Sequence, residues 1–493
     1  MPVLCVVPLV LSSPLATAQF QSNLPSLGDT ERSELSPVME YKLGVEVMQK
    51  VRADRDYIDD PVVLEYLNNF GNKLVSSYPE ARGEAGNDFF FFAVRDPMIN
   101  AFALPGGFIG VHSALLLAAQ NESELASVLS HEIGHVSQRH IARMLGQQRQ
   151  DMLIPLASML LGVLAMRGSA DAGMAIVTGG SGLAMQRQLN FSRDAEREAD
   201  RIGFQIMRAG GFDTSGMTAF FGRLQTASRL YSDTTPSYLR SHPLTTERIA
   251  DIEARIREQP YRQHVDSFDF YLVRARMRVL QDESGNGLHE SATILEQQAK
   301  KGSRMQAAAA QYGLAVIALK QGNTAKAQSL LQYVRRYAQD HVPAKRNPIL
   351  ASLSIEIKLA AHQTNDALKE SEAAITHFPE SRGIARQYAD VLYAASRYED
   401  AAQYLRSQVL LYREEPQLQK QLAKTYAAQG KQALMHMSMA ESYAMTGGLS
   451  SALEQLRLAR NAPDATFYDN SIIDAREHEW QARRREELKD KKK

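Results

Sequence analysis

His131 and His135 stand four residues apart in the stretch 127-SVLSHEIGHVSQRH-140, and Glu132 directly follows the first of them. On a helix, residues i and i+4 share a face, so both imidazoles point the same way, one turn apart. Both rings then reach one metal ion at about 2.0–2.1 Å. Glu132, displaced around the helix, reaches a water on that ion without becoming a ligand. The chemistry this spacing serves is metal-assisted peptide hydrolysis. It supplies only two ligands, however. An ordinary helix whose two histidines meet carboxylates has the same signature.

A third ligand discriminates the two readings. A third histidine in close series needs Gly at 138 and His at 141, and the chain has Gln138 and Ile141. His140 is one position off and faces away from the pair. A distant carboxylate is the other common solution. The stretch 192-SRDAEREADRIG-203 puts Glu196 and Asp200 on one helix face, with Glu198 pointing elsewhere. Glu196 then completes a His-His-Glu set. Asp200 sits one turn on, where it reaches a ligand imidazole or the water. The plain alternative for this stretch is a solvated charged helix, whose ion pairs contribute little. The only cysteine is Cys5, so any metal is held by histidines and carboxylates.

The surrounding pattern supplies elements to position these groups. One helix is expected over 121–148, with Asn121 as N-cap, Glu124 at the third position and an apolar face from Leu125 to Met144. A second is expected over 188–208, and helical patterns also cover the chain from about 38 and over 61–77. Residues 88–95, DFFFFAVR, favour a strand. Ile99 to Leu104 form a short strand, Pro105-Gly106-Gly107 a turn, and 108–112 the returning partner. His242-Pro243 opens an amphipathic helix that runs to 257.

The chain of 493 residues exceeds one typical domain, and its zero net charge gives no indication of nucleic acid. Residues 2–11 are apolar and lead to Ala16-Thr17-Ala18, a small-x-small cleavage pattern, so 1–18 read as a signal peptide. No Lys or Arg precedes that apolar run. Residues 19–37 read as a disordered lead, and 38–265 as the domain with the histidine motif. The apolar run 152–166 is shorter than the roughly 20 residues needed to span a bilayer. With the rest of 152–185, it reads either as a buried helical hairpin or as a surface in peripheral contact with a membrane. From 266 to 465 the chain is rich in Ala, Leu, Gln and Tyr, with helices between short polar turns. Ala367 and Ala401 lie 34 residues apart, the period of tetratricopeptide repeats. Residues 466–493 read as a charged tail.

HEIGH, followed by SRDAEREADRIG and preceded by NAFALPGG, resembles the CAAX-prenyl-protease-like family of zinc metallopeptidases. The resemblance covers roughly residues 40–260. It implies a mainly α fold: a gluzincin-type protease domain of helices and a small sheet, followed here by a helical-repeat solenoid. It implies one Zn2+ per chain on His131, His135 and Glu196, with Glu132 as general base. It assigns Asp200 as proton donor, although its position suits an orienting role behind a ligand equally well. Asn100, Ala101, Phe102 and Ala103 resemble the family's edge strand beside the cleft, which pairs with extended substrates. His242, at a loop tip stiffened by Pro243, reaches the open metal position as a fourth ligand and plug, or else lies outside the metal shell. With a signal peptide and repeats, the chain resembles periplasmic members that act in outer-membrane protein assembly. Their substrates would be unfolded or misfolded outer-membrane proteins, and the β-barrel assembly machinery would dock on the repeats. The rival reading is a repeat-based periplasmic chaperone or adaptor with a structural or shut zinc site.

Overall fold

The computed structural model describes residues 35–83, 86, 88–146, 193–230, 237–342 and 346–490. The expected signal peptide, most of the lead and the apolar stretch 152–185 lie outside the described residues.

The first half begins with helices α1 (Pro37–Ala53) and α2 (Pro61–Ser77). Each opens on a proline, and the side chains of Ser36 and Asp60 accept from Met39 N and Val63 N as N-caps. Three strands follow: β1 (Phe90–Val94), β2 (Ala101–Leu104) and β3 (Phe108–His112). The order is β1-β3-β2, with β3 parallel to β1 and antiparallel to β2. The expected hairpin is present, with Ala101 opposite Val111 and Leu104 opposite Phe108. β2 is therefore an edge strand.

Helix α3 (Ser113–Ala118) leads to α4 (Glu122–Ser137), which carries the two histidines and is buried along its whole length. Asn121 caps it by accepting from Glu124 N at 2.9 Å. The Glu124 carboxylate accepts from Gln120 N instead of closing the box on Asn121. The helix expected to run unbroken to 148 stops at Ser137, and α5 (His140–Gly146) restarts it. Arg139 between them adopts a left-handed conformation, φ 51°. That conformation costs a non-glycine residue about 1–2 kcal/mol. Here the Arg139 side chain offsets it by donating to Glu40 Oε2 at 3.0 Å and to Leu35 O at 2.8 Å.

Helices α6 (Arg193–Gly210), α7 (Ser215–Leu230), α8 (Ser237–Ser241) and α9 (Thr246–Arg257) complete this half. α4 and α6 cross closely because two glycines meet the opposing backbone. A Cβ on Gly134 would lie 2.9 Å from Ala199 O, and one on Gly203 would lie 3.1 Å from His131 N. One glycine belongs to the histidine motif and the other to the acidic stretch, so the contact sets Glu196 opposite His131 and His135.

From Phe268 onward the described residues form antiparallel helix pairs. The first helices of three successive pairs begin at Pro348, Arg382 and Pro416, a 34-residue period. The turn inside each of these pairs places a left-handed residue at His362, Ser396 and Gly430, in the same register. Ala367 and Ala401 are fully buried where neighbouring helices pack. The segment expected as a charged tail differs: Phe467–Asp490 is a helix with Ile473 and Trp480 buried against the preceding pair. Its apolar residues are too few to show as a pattern among the charges, so only packing reveals them. No helix among the described residues is long and apolar enough to cross a membrane.

The two halves are joined by buried and partly buried charges. Arg276 donates to both oxygens of Asp60, the α2 cap, and to Glu356 of the repeats. Arg386 pairs with Asp59, and Glu65 accepts from Ser381 and Gly383.

Candidate active site

Four side chains from three elements converge between α4, α6 and the loop before α9. They are His131, His135, Glu196 and His242, all buried, and their donor atoms lie within 4.8 Å of one another. His131 Nε2 is 3.0 Å from His135 Nε2 and 3.3 Å from His242 Nδ1. Glu196 Oε2 lies 3.4 Å from His131 Nε2, and Oε1 lies 3.5 Å from His135 Nε2 and 3.0 Å from His242 Nδ1. Ring nitrogens and carboxylate oxygens that face one another in this way present several lone pairs to one point. That donor set, nitrogen and oxygen without sulfur, fits a zinc ion held by three ligands or by four.

Glu132 is placed differently. Both its oxygens are buried, and neither makes a hydrogen bond that meets ordinary geometry among the described residues. His242 Nε2 lies 3.6 Å from its Oε1. Burial pushes its pKa up, against the opposing fields of His242 and His131 and the Ala103 backbone N–H of β2. A carboxyl that is desolvated yet uncommitted is suited to exchanging a proton.

Behind His131 stands Asp200, with Oδ1 2.9 Å from the ring's Nδ1. Arg248 donates to both Asp200 oxygens, at 2.6 and 2.8 Å, and lies 2.7 Å from Glu196 Oε2. It also donates to Pro243 O at 2.9 Å, so one buried guanidinium ties Glu196 and Asp200 of α6 to the loop that bears His242. Burial raises the Asp200 pKa, but the hydrogen bonds from Arg248 and His131 outweigh it and hold the group ionised below its ordinary value. Glu196 is depressed further: burial is outweighed by His242 and by hydrogen bonds from His131 and His135. Burial opposes a charge on His131, yet its bonds to Asp200 and Glu196 push it to about 9. His135 falls well below its usual range through burial. A cation at this site must displace the His131 proton, so metal binding and pH are coupled.

Sequence reasoning placed Glu196, Asp200 and His242 near the pair without fixing their contacts. It missed Arg248, six residues after His242, because an arginine early in an amphipathic helix normally faces solvent. It missed Tyr238, which is fully buried with its ring 4.8 Å from that of His242. It also misplaced His140, while Glu198 points away from the cluster as expected. The left-handed turn at Arg139 swings His140 back, so that its Nδ1 lies 2.8 Å from His135 Nδ1 and its Nε2 3.0 Å from Glu198. Two further histidines have structural partners: His112 bonds Met98 O, and His264 bonds Glu122.

Known proteins are similar to this chain in sequence. The profile of peptidase family M48 matches residues 67–256. The beta-barrel assembly-enhancing protease of Escherichia coli is 30% identical over 461 residues, which cover 94% of this chain and 92% of that protein. The chain belongs to peptidase family M48. A putative beta-barrel assembly-enhancing protease of Vibrio cholerae is 34% identical over 337 residues, 68% of each chain. The metalloprotease YcaL of Escherichia coli is 33% identical over 164 residues, 32% of this chain and 58% of that one. As an M48 member the chain is a metallopeptidase, a mainly helical protease domain followed by a helical-repeat region.

Proposed function

We propose that this M48 peptidase is a zinc-dependent endopeptidase of the bacterial periplasm that degrades unfolded or misfolded outer-membrane proteins. The observation that carries the reading is the buried convergence of His131, His135 and Glu196 beside an uncommitted Glu132. His131, His135 and Glu196 would hold the zinc. When bound there, zinc polarises a peptide carbonyl and makes a water acidic enough to lose its proton near neutral pH. Glu132 accepts that proton on a carboxylate oxygen and returns it to the leaving amine. Asp200 keeps the His131 proton on Nδ1, which leaves the Nε2 lone pair to the metal. Both Asp200 oxygens are engaged by Arg248 behind that ring, which favours the orienting role over proton donation.

The edge strand β2, with Asn100 just before it and Ala101, Phe102 and Ala103 within it, runs beside Glu132 and would offer backbone groups to an extended substrate. His242 competes for the position a substrate carbonyl would need, so the resting enzyme is closed until its loop moves. The names of the long relatives support a place in outer-membrane assembly, with the assembly machinery docking on the repeats. Residues 1–18 would then direct export. The adaptor reading is disfavoured, because a structural metal site has no use for the buried Glu132.

The test is degradation of an unfolded protein by purified protein, with and without a chelator, beside His242→Ala. Chelation abolishes cleavage and His242→Ala speeds it. Chelator-resistant cleavage contradicts the metal assignment. A His242→Ala variant no faster than wild type contradicts the plug.

A further inference from the structure

We propose that His140 and Glu198 are positioning residues for the metal that act through His135. This rests on the reading that His135 is a ligand. His135 Nε2 faces the cluster, and its other nitrogen, Nδ1, lies 2.8 Å from Nδ1 of His140. His140 Nε2 lies 3.0 Å from Glu198 Oε2, and Arg143 Nη2 donates to that same oxygen at 2.8 Å. His140 is 3% exposed.

Counting protons fixes the direction of this chain. A ligand nitrogen must offer a lone pair, so the His135 proton sits on Nδ1 and is donated to His140. A neutral imidazole has one proton. His140 accepts at Nδ1, so its own proton is on Nε2 and goes to Glu198. Arg143 keeps the terminal carboxylate charged. The result is a carboxylate–imidazole–imidazole relay that holds one tautomer and one ring orientation of His135 and strengthens its lone pair. His131 has the shorter version, Asp200 alone. Both carboxylates come from α6, two residues apart, and they serve ligands one turn apart on α4.

The relay depends on the break in the helix. In a continuous helix His140 would sit about 140° around the axis from His135. The left-handed Arg139, pinned by Glu40 and Leu35 O, returns it to His135.

The experiment is zinc affinity by chelator competition on the full chain, together with the visible spectrum of the cobalt-substituted protein. Wild type, His140→Phe, His140→Asn, Glu198→Gln and His135→Ala are compared. Glu198 is partly exposed, so its variant leaves folding intact. His140→Phe should bind zinc about 10–100-fold more weakly, with a shifted cobalt spectrum. His140→Asn should recover most of the affinity, because its Oδ1 accepts where Nδ1 did, and Glu198→Gln should fall between. Wild-type affinity and spectrum in both His140→Phe and Glu198→Gln, with affinity lost in His135→Ala, overturn the relay alone, even if melting temperatures drop. Undiminished affinity in His135→Ala overturns the relay together with the reading beneath it.

Discussion

Among the described residues stand two clusters of histidine and carboxylate, one fully buried and one partly buried, and they are built in opposite ways. One is His131, His135, Glu196 and His242 with Glu132 beside it. The other is Glu122, His264 and Asp266, at the foot of α4. In the second, every acceptor is satisfied. Glu122 Oε1 accepts from Tyr66 and Ser267 Oγ, and Oε2 from Ser267 N and His264. Asp266 accepts from Glu122 N and from Tyr271. In the first cluster, the ring nitrogens and carboxylate oxygens converge on one point, and among the described residues neither Glu132 oxygen makes a hydrogen bond of good geometry. Residue types alone do not separate a metal centre from a brace. The difference lies in whether protein donors have already used the lone pairs. A cluster whose carboxylates are all committed to protein donors stabilises the junction, and one with a carboxylate left uncommitted, as Glu132 is, keeps its capacity for a metal and a proton.

Substitution of the matching carboxylates should break this comparison most visibly. Glu196→Gln should lose stoichiometric zinc on dialysis. Glu122→Ala should keep its zinc but lower stability by about 3 kcal/mol, because it strands several buried donors. Metal analysis and denaturant melts on both variants check this. Equal loss of zinc from the two would erase the distinction. Next in size is Gly134→Ala. Its methyl group would press on Ala199 O and push α6 from α4, costing about 1–3 kcal/mol and weakening metal binding together. A variant with wild-type zinc affinity would show that the helix crossing does not set the site.

Acid should also distinguish the clusters. Burial alone would raise the Glu122 pKa, but hydrogen bonds from His264 and Ser267 hold it below the ordinary 4.5. The unfolded chain therefore binds more protons there as pH falls. The stabilisation is complete above 4.5 and is lost as pH drops through the folded value. Melts of Glu122→Gln should show a shallower acid limb than wild type between pH 5 and pH 3. Parallel limbs would remove Glu122 from the account. The smallest expected effect lies away from both clusters. Ser396 holds a left-handed turn, φ 59°, where the corresponding residue one repeat later is Gly430. Ser396→Gly should stabilise by roughly 0.5–1 kcal/mol without altering zinc content.

Much of this was legible in the sequence. His131 and His135 share a face by spacing alone, and Glu196 and Asp200 do so by the same rule. The hairpin was marked by Pro105-Gly106-Gly107, and the repeat period by Ala367 and Ala401. The failures share a physical cause. The helix break after Ser137 has no glycine or proline to announce it, because its strain is offset by Glu40, about a hundred positions away in the chain. His140 was misplaced by that same break. Arg248 has no sequence signal of its own, because its burial comes from α9 packing on α6. Long-range partners that compensate local strain, or that draw a charged residue inward, leave no local periodicity.

The central claim is that Glu132 performs chemistry and does not hold the metal. The direct measurement is Glu132→Gln, with zinc stoichiometry and turnover of an unfolded protein read on the same sample. The account predicts one zinc per chain with wild-type affinity, and turnover reduced about 10²–10⁴-fold. Wild-type turnover, or loss of the zinc, would contradict it.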